Sequence, residues 1–411
     1  MPDTTTSNRI NAHPTKELFI YMLTRDIPLI RAILDLIDNA VDGVTRIQES
    51  DDYSNFWIKI NCTKESFKIS DNCGGIPIEI AREYAFRFGR PKATKTTPGS
   101  IGKFGVGMKR AFFKLGNIFE VKSTTVNSSF VVKHDIRNWL EDPNTWEFEF
   151  VDKKEDFNIA PNDDTIGTQI VIRDLFDSVA NSFSLSNFEI QLQNQIELAH
   201  SVMTRKGLSI FLNNRPIGKK NLSLLKSDKL IPAHFEKTYD NIGSSPVRVN
   251  IYAGISERNI EDGGWYIFCN GRMVLEADQS SVTTWGQDNN MQKYHPIFAY
   301  FRGYVFFDSD DAELLPWTTT KTGVDLDSQL YKMVKLEMIN IITPIISFLR
   351  KLDSEREQLS RGEIDISPLE QLRKSAYTTY SAQLNSPLFA QLKSPQSALI
   401  KVPDKITGDL S

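Results

Sequence analysis

The sequence predicts an α+β protein: a first region of helices and strands, then a second region with its own strands, then a helical end. Three observations carry this. Apolar residues Ile30, Ile33, Leu34, Ile37 and Val41 repeat at helical spacing. The runs Asn55–Asn61 and Ser66–Ser70 alternate with the period of half-buried strands. Further strand-like runs appear beyond a long helical stretch, Leu185–Lys206, which Gly207 closes, so the strands fall into two groups.

A chain of 411 residues is long enough for more than one core. Its 40% hydrophobic and 24% charged residues are those of an ordinary globular protein, and a net charge of −4 gives no support to DNA binding. Cys62, Cys73 and Cys269 are too scattered for a zinc site and too few for a disulfide framework, which fits a reducing compartment. The polar start lacks the layout of a signal peptide. The most apolar late segment, Met338–Leu349, contains Pro344 and is shorter than the roughly 20 apolar residues a bilayer requires. A cytoplasmic protein without a membrane anchor is expected.

Residues 1–28 read as an N-terminal arm with a short helical piece, Glu17–Thr24. The helix after Pro28 carries a second stripe, Asp35, Asp38, Asn39 and Asp42, at i, i+3, i+4 and i+7, so carboxylates and a carboxamide share one face. Taken alone, a solvated acidic face accounts for that stripe. The strand Ser66–Ser70 runs directly into Asp71-Asn72-Cys73-Gly74-Gly75, a tight glycine-bearing turn. A helix is expected over Ile80–Phe88. Residues 87–100 are basic and rich in Thr, Pro and Gly, and read as a mobile loop or lid. Gly102-Lys103-Phe104-Gly105-Val106-Gly107 then opens a helix, Met108–Leu115. Strands at Ile118–Ser123, Ser129–Lys133, Trp146–Phe150 and Gly167–Ile172 complete a first domain, 29–180. A second, 181–335, has strands at Ser209–Leu212, Val247–Tyr252 and Trp265–Phe268, continues through Ala299–Phe307 and ends in the loop Leu315–Val324. A helical and then polar tail, 336–411, follows, and no internal repeat or long heptad run is present.

The Gly102–Gly107 loop has the form of a phosphate cradle, because glycines let backbone N–H groups approach an anion and the following helix adds its dipole. Alone it is a weak signal, since such loops often serve only as turns. No Gly-Lys-Ser/Thr follows, so it is not a Walker A loop, and no clear strand precedes it, as a dinucleotide-binding unit would require.

The helix with Asn39, the turn with Asp71 and the loop Gly102–Gly107, in that order, are far more specific. The chain resembles the GHKL (Bergerat-fold) ATPases: the gyrase B subunit, the ninety-kilodalton heat-shock chaperone, histidine kinases, MutL and the microrchidia proteins. IGKFGVGMKRA is especially similar to the chaperone and microrchidia versions, and the resemblance covers about residues 15–330. It implies a Bergerat-fold α/β sandwich followed by a transducer domain, with ATP and magnesium as ligands. Carried over by position, it implies that Asn39 ligates magnesium, Asp71 accepts from the adenine amino group, Gly75 shapes that turn, and Thr168 helps hold adenine through water. Gly102, Lys103, Phe104, Gly105, Val106 and Gly107 correspond to the phosphate loop, and Lys321 to the transducer lysine that contacts the γ-phosphate. The turn Cys269-Asn270-Gly271-Arg272 is similar to a transducer segment of the MutL and microrchidia proteins, although a plain hairpin explains it equally well.

Two departures matter. The general base of hydrolysing members is usually glutamate, and here Asp35 stands at that position, one methylene shorter. A displacement of order 1 Å costs on the order of 100-fold in rate, so slow hydrolysis is expected. Cys73 stands where the family has glycine, so that position does not freely adopt φ > 0. The resemblance implies an ATP-gated homodimeric clamp with slow ATPase activity. The alternative is a nucleotide-sensing module that binds ATP with little turnover and regulates a protein partner. A histidine kinase is disfavoured: its phosphoacceptor helices precede the asparagine motif, where only His13 beside Pro14 is found.

Overall fold

The computed structural model describes residues 14–89, 98–102, 105–142, 145–286 and 292–380. Helix α1 (Lys16–Thr24) starts where the Thr15 hydroxyl accepts from the Leu18 N–H. Pro28 precedes α2 (Leu29–Ile47) and leaves no N–H to satisfy at the helix start. The apolar stripe of α2 is inside, with Ile33, Leu34, Ile37 and Val41 buried. Its polar stripe also turns inward: Asp35 is 9% exposed and Asp38 fully buried. A solvated face therefore does not describe this helix.

Strands β1 (Trp57–Cys62) and β2 (Ser66–Asp71) form an antiparallel hairpin. A single turn, α3 (Ile78–Ile80), continues as a π turn over Ala81–Ala85, shorter than the helix expected over Ile80–Phe88. Then follow α4 (Gly107–Leu115), β3 (Gly116–Thr124), β4 (Ser129–Asp135), α5 (Ile136–Glu141), β5 (Phe150–Lys154) and β6 (Gly167–Leu175). The strand expected at Trp146–Phe150 starts only at Phe150. Trp146 and Phe148 pack instead into an aromatic cluster with Phe88 and Trp139, where burial of large rings outweighs strand pairing.

Helices α6 (Asp177–Phe183), α7 (Ser186–Ala199) and α8 (Ser201–Arg205) lead to β7 (Ser209–Leu212) and β8 (Arg215–Pro216). The single helix expected over Leu185–Lys206 is thus two, separated at His200, whose φ of −112° and ψ of 20° are not helical. The first sheet has the order β5-β4-β3-β6-β2-β1-β7-β8. It is antiparallel except that β7 runs parallel to β1, with Trp57 opposite Ser209 and Ile60 opposite Leu212. Ser209–Leu212, expected among the second group of strands, therefore belongs to the first sheet, where Ile210 and Leu212 are buried.

After β9 (Ser223–Lys226), the strands β10 (Ala233–Tyr239), β11 (Val247–Ile255), β12 (Gly264–Cys269), β13 (Arg272–Asp278) and β14 (Phe301–Asp308) build the second sheet, in the order β10-β11-β14-β12-β13. Helix α9 (Gln329–Ser360) buries Val334, Met338, Ile342, Ile345 and Leu349 and packs on β11. Helix α10 (Pro368–Lys374) precedes β15 (Tyr377–Tyr380), which pairs with β9. Among the described residues no helix is long and apolar enough to cross a membrane.

Candidate nucleotide site

A cavity opens between α2, the ends of β2 and β6, and the start of α4, and the loop 317–324 closes one side of it. Asp35, Asn39, Asp42, Asp71, Gly75, Gly102, Gly105, Val106, Gly107, Thr168 and Lys321 all line it. Lys103, Phe104 and most of the lid, residues 90–97, lie outside the described residues.

The wall formed by β2 and β6 is set by backbone geometry. Asp71 Oδ1 accepts from the Cys73 N–H at 2.9 Å and the Thr168 N–H at 3.3 Å. Oδ2 has no protein donor among the described residues, and Asp71 lines the cavity together with Ile69, Ile76 and Ile170. Burial pushes the carboxyl up to about 6, against the pull of the two amides and of Arg46. Gly75 has φ 64° and Gly167 φ 142°, and a Cβ at Gly167 would sit 1.9 Å from the Asp71 carbonyl oxygen. The left-handed positions of the turn are Gly74 and Gly75, so Cys73, buried and outside that region, replaces a glycine where the turn does not need one. The Thr168 hydroxyl is 3.2 Å from that of Ser123.

Opposite stands the polar face of α2. Asn39 is exposed, lines the cavity and has no hydrogen-bond partner among the described residues. A free carboxamide oxygen of this kind suits magnesium, which usually takes one or two protein ligands and completes its shell with phosphates and water. Asp42 receives the Ile101 N–H on Oδ1 at 2.6 Å and the Gly102 N–H on Oδ2 at 2.7 Å. Burial pushes its carboxyl up to about 6, although both amides oppose the shift. Asp42 thus fixes the start of the glycine loop to α2. Lys109 is buried in the first turns of α4 and donates to the carbonyl oxygens of Ala85 and Gly105. Burial lowers its ammonium to about 7.

Four elements meet around Asp35 and Asp38. Asp35 Oδ2 is 3.3 Å from Arg110 Nη1, and its Oδ1 is 3.6 Å from Lys321 Nζ. Asp38 Oδ2 accepts from Lys321 at 2.7 Å, while Oδ1 lies 2.9 Å from Arg272 Nε and 3.5 Å from His200 Nε2. Burial alone would raise the Asp38 carboxyl, but Arg272, Lys321 and His200 together hold it down at about 2. Burial would likewise lower Lys321, yet Asp38 and Asp35 keep its ammonium above the usual lysine value. His200 is driven down to about 3 by burial and by Arg272, so its ring is neutral at neutral pH.

The sequence reading named Asp38 and Asp42 in the helical stripe but gave them no role. Arg110 and Arg272 stand there only as members of quoted motifs, without a role at Asp35 or Asp38, and His200 is not singled out, since their meeting with α2 depends on contacts distant in sequence. The turn Cys269–Arg272 is more than a hairpin: Asn270 and Gly271 take left-handed φ of 46° and 72°, and Asn270 Nδ2 donates to the Ser100 and Ser309 carbonyls at 3.0 Å each.

Residues 27–168 match the family model described as histidine kinase-, DNA gyrase B- and HSP90-like ATPase. No curated protein matches the chain significantly. The matched segment ends at Thr168 and holds α2, the Asp71 turn and the glycine loop, while Lys321 lies beyond it. With the α+β architecture around it, the matched segment, residues 27–168, is a domain of the GHKL type, and that family supports ATP binding.

Proposed function

We propose that the chain binds ATP and magnesium in this cavity, hydrolyses ATP slowly, and uses the nucleotide to gate the closure of a homodimeric clamp. The observation that carries the reading is convergence. Residues far apart in sequence, from Asp35 on α2 to Lys321 in the loop 317–324, line a single cavity in complementary chemical roles.

Asp71 offers a free carboxylate oxygen to the adenine amino group, and Ile69, Ile76 and Ile170 supply an apolar floor for the base. Asn39 holds magnesium, which when bound neutralises charge on the phosphates. The amides of Gly105, Val106 and Gly107, at the start of α4, donate to the phosphate oxygens. Lys321 stabilises charge on the γ-phosphate. Asp35 orients or deprotonates the attacking water. In this arrangement residues 29–180, extended by β7 and β8, form the nucleotide unit, and the part of 181–335 that follows β8 forms the transducer.

Asp35 decides between two versions. Both of its oxygens lie near cations, Arg110 and Lys321, and a base so engaged gives little turnover. That contact favours the second version, a nucleotide-sensing module that binds ATP and regulates a protein partner. Multiple-turnover phosphate release separates them. For an ATPase, Asp35→Asn should lower turnover by roughly 100-fold and leave ATP affinity within about threefold. Wild-type ATP binding without phosphate release would leave the sensing module. The clamp is tested by sedimentation: a non-hydrolysable ATP analogue should convert monomer to dimer, and a monomer at saturating analogue excludes closure by dimerisation.

A further inference from the structure

The ammonium of Lys321 has two anions within its reach, the Asp38 carboxylate and, on the reading of the cavity as an ATP site, a γ-phosphate. In this structure it is on Asp38, 2.7 Å from Oδ2, with Asp35 Oδ1 at 3.6 Å. We propose that Asp38 is a positioning residue that competes with the γ-phosphate for Lys321, and that Arg272 sets the strength of this competition by neutralising Asp38 from its other side.

The geometry separates the two partners of Asp38. Lys321 takes Oδ2, whereas Arg272 Nε lies 2.9 Å from Oδ1, and the two cations come from different elements, the loop 317–324 and the first residue of β13. His200 Nε2 lies 3.5 Å from Oδ1 with no hydrogen bond on either ring nitrogen. Arg272 is 2% exposed and Asp38 fully buried, so water does not replace a lost partner there. A buried carboxylate stripped of one cation is tolerable only if another remains. Arg272 is that second cation, and it makes the release of Lys321 possible.

Lys321 itself is poised to move. It has φ 54°, a left-handed conformation that is disfavoured for a non-glycine residue. Its loop is pinned at the base by the Trp317–Val324 bridge and by Thr318 N–H donating to Gly323 at 3.0 Å. The pairing with Asp38 offsets the backbone strain, and a rival anion removes that support. The turn that carries Arg272 also carries Asn270, which grips the Ser100 carbonyl just ahead of the glycine loop. The transfer of Lys321 is therefore felt at both ends of the phosphate site.

The test is the ratio of ADP to ATP dissociation constants, measured by calorimetry with magnesium. ADP has no γ-phosphate and does not draw on Lys321, so general damage weakens both nucleotides and leaves the ratio alone. Asp38→Asn should raise the ratio roughly tenfold, the worth of one charge-assisted hydrogen bond. Arg272→Met, which leaves Asp38 holding Lys321 more tightly, should lower it towards the value of Lys321→Met. Adding Asp38→Asn to Lys321→Met should change nothing further. Equal ratios in wild type, Asp38→Asn and Arg272→Met, or shifts of the same sign, overturn the competition. Where neither variant folds, amide exchange of residues 318–323 in the wild type carries the test. It should respond to a non-hydrolysable ATP analogue and not to ADP, and an equal response overturns the proposal. Binding of neither nucleotide by the wild type overturns the ATP-site reading itself, whereas normal binding with unmoved ratios overturns only the competition.

Discussion

Asp71→Asn should lower the affinity for ATP by roughly 100-fold while making the protein more stable at neutral pH. The two effects share a cause. Burial holds the Asp71 carboxyl up at about 6, above its value of about 4 in an unfolded chain. The folded state thus keeps the proton to higher pH than the unfolded state does. The stabilising contribution is complete below about pH 4 and is lost as pH rises through about 6. At pH 7 the ionised carboxylate is a liability, and the neutral carboxamide removes it. Its oxygen can still accept from the Cys73 and Thr168 amides, so the turn survives. The expected gain is on the order of 1 kcal/mol at pH 7, vanishing near pH 4. The carboxamide, however, turns an N–H donor towards the adenine amino group, another donor, and leaves both unpaired. Thermal melts at the two pH values and an ATP titration check both halves. Unchanged ATP affinity would remove Asp71 from the site.

Gly167→Ala should cost on the order of 3 kcal/mol or more and abolish nucleotide binding with it. The Cβ would stand 1.9 Å from the Asp71 carbonyl oxygen and 3.0 Å from Asn72 Cα, at a φ of 142° that alanine does not adopt. Both neighbours are backbone, so no side chain can swing away. Relief requires β6 to separate from β2 where Asp71 pairs with Thr168, and both residues line the cavity. A denaturant midpoint close to wild type would show that these two strands do not meet as described.

The parts of the molecule that local pattern specifies were legible in the sequence. Helix α2 could be read because both of its stripes keep a 3.6-residue period, and the Asp71 turn because a strand pattern ends in two glycines. The order of three motifs then gave the family. What pattern does not contain is the choice of partner. The run Ser209–Leu212 reads as a strand whichever sheet it joins, and only tertiary contact with β1 assigns it to the first. The composition of 185–206 is helical throughout, so the break at His200, which brings the imidazole to Asp38, has no local signal. Trp146 and Phe148 alternate with glutamates as a strand would, yet the rings are drawn to Phe88 and Trp139. Asp38 stood in the stripe from the outset, but its significance comes from Arg272 and Lys321, both supplied by the second half of the chain.

The most direct test of the central claim, that this cavity is an ATP site read by Asp71, is calorimetric titration of the wild-type chain with ATP, with and without magnesium, and with GTP. The expected result is saturable binding of one ATP per chain, strengthened by magnesium. GTP should bind roughly 100-fold more weakly, because guanine presents an acceptor where Asp71 requires a donor. No ATP binding, or GTP bound as tightly as ATP, would contradict it.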